Sequence, residues 1–266
     1  MIAAIAIRIA EAWAVAAALQ LVLWLVQQRT RNAGIVDVGW ALAFALVVAV
    51  FAWRASAPVA AWWPIATVVT AWSLRLGGYL ITRGAARAPE DGRYADLRRR
   101  WAANAAPRLF VFFQAQAALT AVLSTAFVVP FLAIPWDGGW LRALGAGIAL
   151  AGVAGETVAD AQLARWKRDR ATAPGHPVCD AGLWACSRHP NYFFEWCVWL
   201  GHAVYGLALY PYGLIALVPQ AVILGSILGV TGIPPTESQA IRSKGDAYRD
   251  YQRRVSKFIP MPPSRS

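Results

Sequence analysis

Long apolar runs separated by short polar turns recur along the whole chain. Runs of roughly 20 residues, enough to cross a ~30 Å hydrocarbon core, fall at Ile2–Val26, Ile35–Trp53, Val59–Ile81, Leu109–Ile134, Trp140–Leu163, Tyr192–Leu209 and Tyr212–Val230. The pattern predicts an all-α integral membrane protein built as a seven-helix bundle. Pro211 and Gly213 leave only a tight turn between the last two runs. No internal repeat or second domain is visible, so residues 1–266 read as a single membrane domain with a short tail from about residue 232.

Charge adds direction to this picture. Lys and Arg gather in cytoplasmic connections of membrane proteins, and here all but Arg8, Arg54, Arg75 and Arg142 fall in alternate connections and the tail. An odd number of crossings then puts the N-terminus outside and the C-terminus in the cytoplasm. Composition agrees with a membrane protein: 58% hydrophobic residues and 14 Trp are far from a soluble domain. The net charge of +11 follows the topology, and no soluble basic domain exists to hold nucleic acid. The first run carries Arg8 and Glu11 and lacks a basic leader, so it is expected to remain as a helix. Cys179, Cys186 and Cys197 have no CxxC spacing and only His176 and His189 nearby, so no metal site is expected.

Polar groups inside the apolar runs carry the functional argument, because an ionisable residue at depth costs at least ~2.5 kcal/mol. Arg75, Tyr79 and Arg83 follow at four-residue intervals and share a helical stripe. Arg75 snorkelling to the interface is the alternative. Glu156 and Asp160 share a second stripe toward the end of their helix, where they oppose its dipole and need compensation. Asn191, Glu195 and His202 form a third stripe, which either lines a site or joins helices. Asp37 and Trp40 stand one turn apart; Asp37 serves equally as a helix-start carboxylate. Pro190, preset for a first helical turn, starts a helix whose free amides suit an anion.

Clustered cations beside aromatic rings and carboxylates suit a large anionic cofactor with ribose hydroxyls, a description NADPH fits. There is no G-x-G-x-x-G or P-loop pattern, so any nucleotide binds within the helices and their connections.

Several blocks in order complete the sequence picture: Asp37-Val-Gly-Trp40, Trp72-Ser-Leu-Arg75, Asp91-Gly-Arg93-Tyr94, Asp160 through Lys167 to Arg168, Ala181-Gly-Leu-Trp184, Arg188-His189-Pro-Asn191-Tyr192, Glu195, and Tyr248-Arg-Asp-Tyr251 running to Phe258-Ile-Pro260. With them the chain resembles the DUF1295 proteins of the steroid 5-alpha-reductase-like superfamily. That resemblance implies a membrane bundle binding NADPH, with Asp160, Lys167, Gly182 to Trp184, Asn191 and Glu195 lining the cofactor pocket. Glu156 stands where the superfamily has an Asn. Trp72 stands where the steroid reductases have a Tyr that holds the substrate carbonyl, so the proton donor is missing at that place. Asp37 can replace the glutamate that accompanies it, and Glu237 or Tyr79 can supply the proton.

The expected activity is hydride delivery from NADPH to a carbon–carbon double bond of a lipid or sterol-like substrate. Asp37, Tyr79 and Glu237 are the catalytic candidates. Arg75, Arg83, Arg93, Tyr94, Glu156, Asp160, Lys167, Arg168, Trp184, Arg188, His189, Asn191, Tyr192, Glu195, Tyr248, Tyr251 and Arg253 are the cofactor candidates, and Trp40 and Trp72 face substrate. The Arg-His-Pro-x-Tyr turn is similar to one in the isoprenylcysteine carboxyl methyltransferases, which implies S-adenosylmethionine as the alternative cofactor. A non-catalytic lipid-binding protein is the third possibility. The expected location is a bacterial inner membrane, with the site facing the cytoplasm.

Overall fold

The computed structural model describes residues 1–87, 89–136, 139–172 and 177–262; His176 and Arg265 lie outside them. Among the described residues every regular element is helical: α1 (Ile2–Thr30), α2 (Ile35–Trp53), α3 (Val59–Thr82), α4 (Gly92–Trp101), α5 (Ala105–Ser124), α6 (Trp140–Thr172), α7 (Pro190–Leu207), α8 (Leu217–Gly225), α9 (Ile233–Lys244) and α10 (Asp246–Arg254). Six stretches are long and apolar enough to cross a bilayer: α1, α2, α3, Gly92–Ser124, Trp140–Arg170 and Tyr212–Lys244. The protein is a multi-pass membrane protein. Helix α7, expected as a seventh span, is not among the six, because Asn191, Glu195 and His202 dilute its apolar residues.

The fourth run also ends earlier than its hydrophobicity implies. Helix α5 stops at Ser124 and gives way to turns and a 3-10 turn at Val129–Phe131. Ser124 and Thr120 turn their hydroxyls back onto the carbonyls of Thr120 and Gln116, and Pro130 brings no N–H to continue the ladder. Phe127, Val128 and Phe131 beyond it are nevertheless buried, so hydropathy alone sees no break.

The helices gather into two compact units, residues 1–142 with 205–219, and residues 143–204 with 220–266. In the first, α1 packs against α2 and α5, and α2 against α3. Its centre is aromatic: Phe44 meets Trp72 edge-on at 5.2 Å and Phe127 at 6.4 Å, and Phe51 meets Phe131 at 5.6 Å. Polar stitches cross it, with Ser73 Oγ donating to Ala41 O (2.6 Å) and Tyr205 Oη to Ala61 O (2.7 Å). Such bonds hold helices together where lipid supplies no hydrophobic drive.

In the second unit α6 and α7 approach closely. A Cβ on Gly201 would lie 2.5 Å from Gly145 O and Ala149 N, so only glycine permits this contact. The Phe194 ring covers Gly155 in the same way. Helix α9 packs on a π turn at Ser226–Val230 and on α10. Tyr248, Tyr251, Val255 and Val178 form a small core beneath α10.

Candidate functional site

In the first unit the polar candidates collect where α2 begins. Asp37 sits in the first turn of α2, a position that favours a carboxylate. It accepts a 2.6 Å hydrogen bond from Tyr94 Oη and pairs with Arg93 Nη2 at 3.2 Å. Both partners come from α4, whose start is set by Asp91: that side chain caps the helix by accepting from Arg93 N (2.9 Å) and also holds Arg93 Nε (3.1 Å). Burial works against the Asp91 carboxylate, but the two bonds from Arg93 outweigh it and hold its pKa below the usual range.

The preceding residue extends the network. Glu90 accepts from Ala33 N (2.7 Å) and pairs with Arg98 (2.9 Å), which also reaches Gln27 Oε1 (3.3 Å). Here too burial is outweighed, chiefly by the Arg98 bond, and the carboxyl titrates below its usual range. Asn32 donates to Arg87 O at 2.7 Å. The α1–α2 turn and the α3–α4 connection are thereby fastened together.

One turn beyond Asp37, the Trp40 ring meets Phe44 at 5.3 Å and Trp72 at 6.2 Å, joining the two predicted substrate-facing indoles. Its Nε1 is buried with no acceptor among the described residues. The predicted stripe on α3 exists as a contact, with the Arg75 guanidinium 5.5 Å from the Tyr79 ring centroid. Arg83 is exposed at the end of α3.

In the second unit Pro190 opens α7, as its fixed φ predicts. The turn before it is a clamp on the tail. Arg188 donates through Nε to Glu237 Oε1 (2.7 Å) and through Nη1 to the carbonyls of Gln252 (3.0 Å) and Val255 (2.7 Å), covering the exposed end of α10. Its backbone N–H bonds Ser256 O, and Ser187 Oγ donates to Phe258 O. Glu237 also accepts from Gln252 Nε2 (3.0 Å) and lies 3.3 Å from His189 Nε2. His189 in turn stacks on Tyr192 at 5.5 Å. The expected catalytic Glu237 is therefore committed to Arg188, His189 and Gln252. Arg188, expected on a phosphate, spends three donors on the protein.

The Gly182–Ala185 turn docks on α6: Trp184 Nε1 donates to Ala159 O (3.0 Å), and Leu183 N to Gln162 Oε1 (3.0 Å). Tyr251 Oη donates to Trp184 O, and burial pushes the pKa of both Tyr251 and Tyr248 up. Glu156 and Asp160 are buried on α6, and Glu195 accepts from Trp199 Nε1 at 2.8 Å. Lys167, Arg168 and Arg253 are exposed, the last paired with Asp250.

The residues missed by sequence are Trp166, Arg170 and Lys244. One indole carries two cations, the Arg170 guanidinium 5.4 Å and the Lys244 ammonium 5.0 Å from the Trp166 centroid. Lys244 also lies 5.8 Å from the Tyr248 ring, and Lys167 acts on it electrostatically. No carboxylate pairs with Arg170 or Lys244 among the described residues. The i, i+4 spacing of Trp166 and Arg170 was a usable signal; Lys244 had none. Cys179 is a buried thiol pushed up to about 11 by that burial, hence not a thiolate. Among the described residues no cluster of His, Cys, Asp and Glu is suited to a metal ion.

No curated protein and no solved structure matches the chain. A family model does: the one described as "Protein of unknown function (DUF1295)" matches residues 23–255. That span is most of the chain, and the protein belongs to the DUF1295 family.

Proposed function

We propose that this protein is an NADPH-dependent reductase of a carbon–carbon double bond in a hydrophobic, sterol-like or other lipid substrate, akin to the steroid 5-alpha-reductases. In this reading α7 is a seventh crossing, the N-terminus lies outside and the C-terminus in the cytoplasm, in keeping with the distribution of Lys and Arg. The observation that carries the proposal is the Tyr94 hydroxyl on the Asp37 carboxylate, 2.6 Å apart with Arg93 beside both. Reducing a polarised double bond requires an acid, whereas methyl transfer to a carboxylate requires none.

The residues fit that task. Tyr94 turns its hydroxyl from Asp37 to the substrate oxygen and releases the proton as electrons reach that atom. Arg93, whose guanidinium lies 5.4 Å from the Tyr94 ring centroid, stabilises the tyrosinate left behind. Asp37 aims the hydroxyl, and the acceptor-less N–H of Trp40 is a second donor one turn away. Trp40, half-buried and packed on the buried Phe44 and Trp72, offers an apolar surface to the substrate. Tyr79, with Arg75 on its ring, is the alternative acid.

NADPH supplies the hydride. The second unit, taken by itself, carries cations suited to phosphates: Lys167, Arg170 and Lys244, two of which share the Trp166 indole without a carboxylate to neutralise them. S-adenosylmethionine brings a sulfonium cation and a single carboxylate in place of phosphates, and gains less from that set. Glu195, aimed by Trp199, and Asn191 one turn before it suit the ribose or nicotinamide.

The test is ligand stabilisation of the purified protein in detergent. NADPH is expected to raise the unfolding temperature and S-adenosylmethionine to leave it unchanged. The reverse pattern transfers the chain to the methyltransferase reading.

A further inference from the structure

The first unit ends in a surplus of arginines that the proposed chemistry does not use. Helix α1 closes with Arg29 and Arg31, α3 with Arg83, the α3–α4 connection carries Arg87, and the α4–α5 segment carries Arg100 and Arg108; all six are exposed. Three bonds gather these segments at one end. Asn32 holds Arg87 O, Glu90 holds Ala33 N, and Trp24 Nε1 donates to Ala106 O at 3.2 Å.

The carboxylates at this end are already taken. Asp37 and Asp91 pair with Arg93, Glu90 with Arg98, and Asp96 with Arg99. Asp91 feels Arg83 as well, but only at a distance. Among the described residues, no ion pair engages the six arginines. The opposite end of α1 and α2 differs: there a single carboxylate, Glu11, bridges both Arg8 (2.8 Å) and Arg54 (3.2 Å).

Arg31 gives a second indication. Its backbone is left-handed at φ 54, closing α1 by donating its N–H to Gln27 O. Glycine adopts that conformation without strain, so an arginine there is costly to the fold and needs a use for its side chain.

We propose that this end of the first unit is a binding surface for the phosphodiester headgroups of anionic phospholipids, with Arg31, Arg83, Arg87 and Arg100 at its centre. The guanidinium fork matches a phosphate with two parallel hydrogen bonds, and basic groups at a helix end meet headgroups at the depth where phosphates lie. The polar stitches hold the backbone segments that carry the arginines together before lipid arrives, so only the side chains need to be ordered on binding.

The experiment is titration of the full-length protein in neutral detergent with phosphatidylglycerol or phosphatidylcholine, read by native mass spectrometry and unfolding temperature. The wild type is expected to prefer phosphatidylglycerol by tenfold or more, and that preference to collapse as salt rises. Replacing Arg31, Arg83, Arg87 and Arg100 together by Gln should abolish it, whereas Arg242→Gln with Arg249→Gln on α9 and α10 should not. Arg31→Gly separates binding from folding, since it is expected to raise the unfolding temperature while weakening the lipid preference severalfold. An unchanged preference in the fourfold variant overturns the proposal. Displacement of the lipid by millimolar inorganic phosphate also overturns it, because the site would then be one for free phosphate.

Discussion

The two arginine–carboxylate constellations look alike in sequence and differ in what they leave available. Arg188 has a side chain 9% exposed and meets Glu237 and two backbone carbonyls; Arg93 has a side chain 68% exposed and meets Asp37, Asp91 and a tyrosine ring. The first is closed. Its groups satisfy one another and a helix end, which is what a buried charge requires to be tolerated. The second leaves the Arg93 guanidinium exposed, while the Tyr94 hydroxyl bonded to Asp37 belongs to a buried side chain. A charged residue in an apolar chain thus marks either a fastening or a candidate site, and the exposure of its side chain separates the two.

The sharpest way to break this contrast is Arg188→Ala. Removing one member of a buried pair strands Glu237 and the α10 carbonyls, with an expected loss of about 3–5 kcal/mol and release of the tail. Limited proteolysis after residue 244 would report it, and an undiminished unfolding temperature would show that the clamp is not structural. Tyr94→Phe should do the opposite. Stability changes by about 1 kcal/mol or less, while turnover falls about 10²–10⁴-fold. If activity survives, the acid is elsewhere, with Tyr79→Phe the next variant to assay.

Smaller effects refine the picture. Lys244→Ala should weaken NADPH binding about tenfold, equivalent to ~1.4 kcal/mol, and leave the fold intact; unchanged affinity in a fluorescence titration removes Trp166 and its cations from the cofactor site. Glu90→Gln should cost about 1 kcal/mol at neutral pH. Because the folded-state pKa of Glu90 is depressed, its contribution is present above about pH 4.3 and fades as pH falls through the lower folded value. The unfolding-temperature gap between wild type and variant should therefore close in acid, and a gap constant down to pH 3 would contradict the pairing with Arg98.

Much of the architecture was legible because it is local. Apolar run lengths located α1, α2 and α3 to within a few residues, and Pro190 marked the start of α7 by its own geometry. The end of α5 was not legible, since the residues after Ser124 are as hydrophobic as those before it. Asp37 and Tyr94 were each noticed, but their pairing bridges 57 positions and has no periodic signature. The occupation of Arg188 was hidden for a different reason: two of its acceptors are backbone carbonyls, which every residue possesses. Lys244 on Trp166 depends on how α9 lies against α6, beyond what spacing conveys.

The most direct measurement is transfer of label from NADPH carrying deuterium at the reactive nicotinamide carbon, using the purified protein, a bacterial lipid extract and mass spectrometry. The proposed reduction predicts a lipid product heavier by one deuterium and one solvent hydrogen, formed by the wild type and lost in Tyr94→Phe. Absence of deuterium in every lipid, together with methyl label arriving from S-adenosylmethionine, would contradict it.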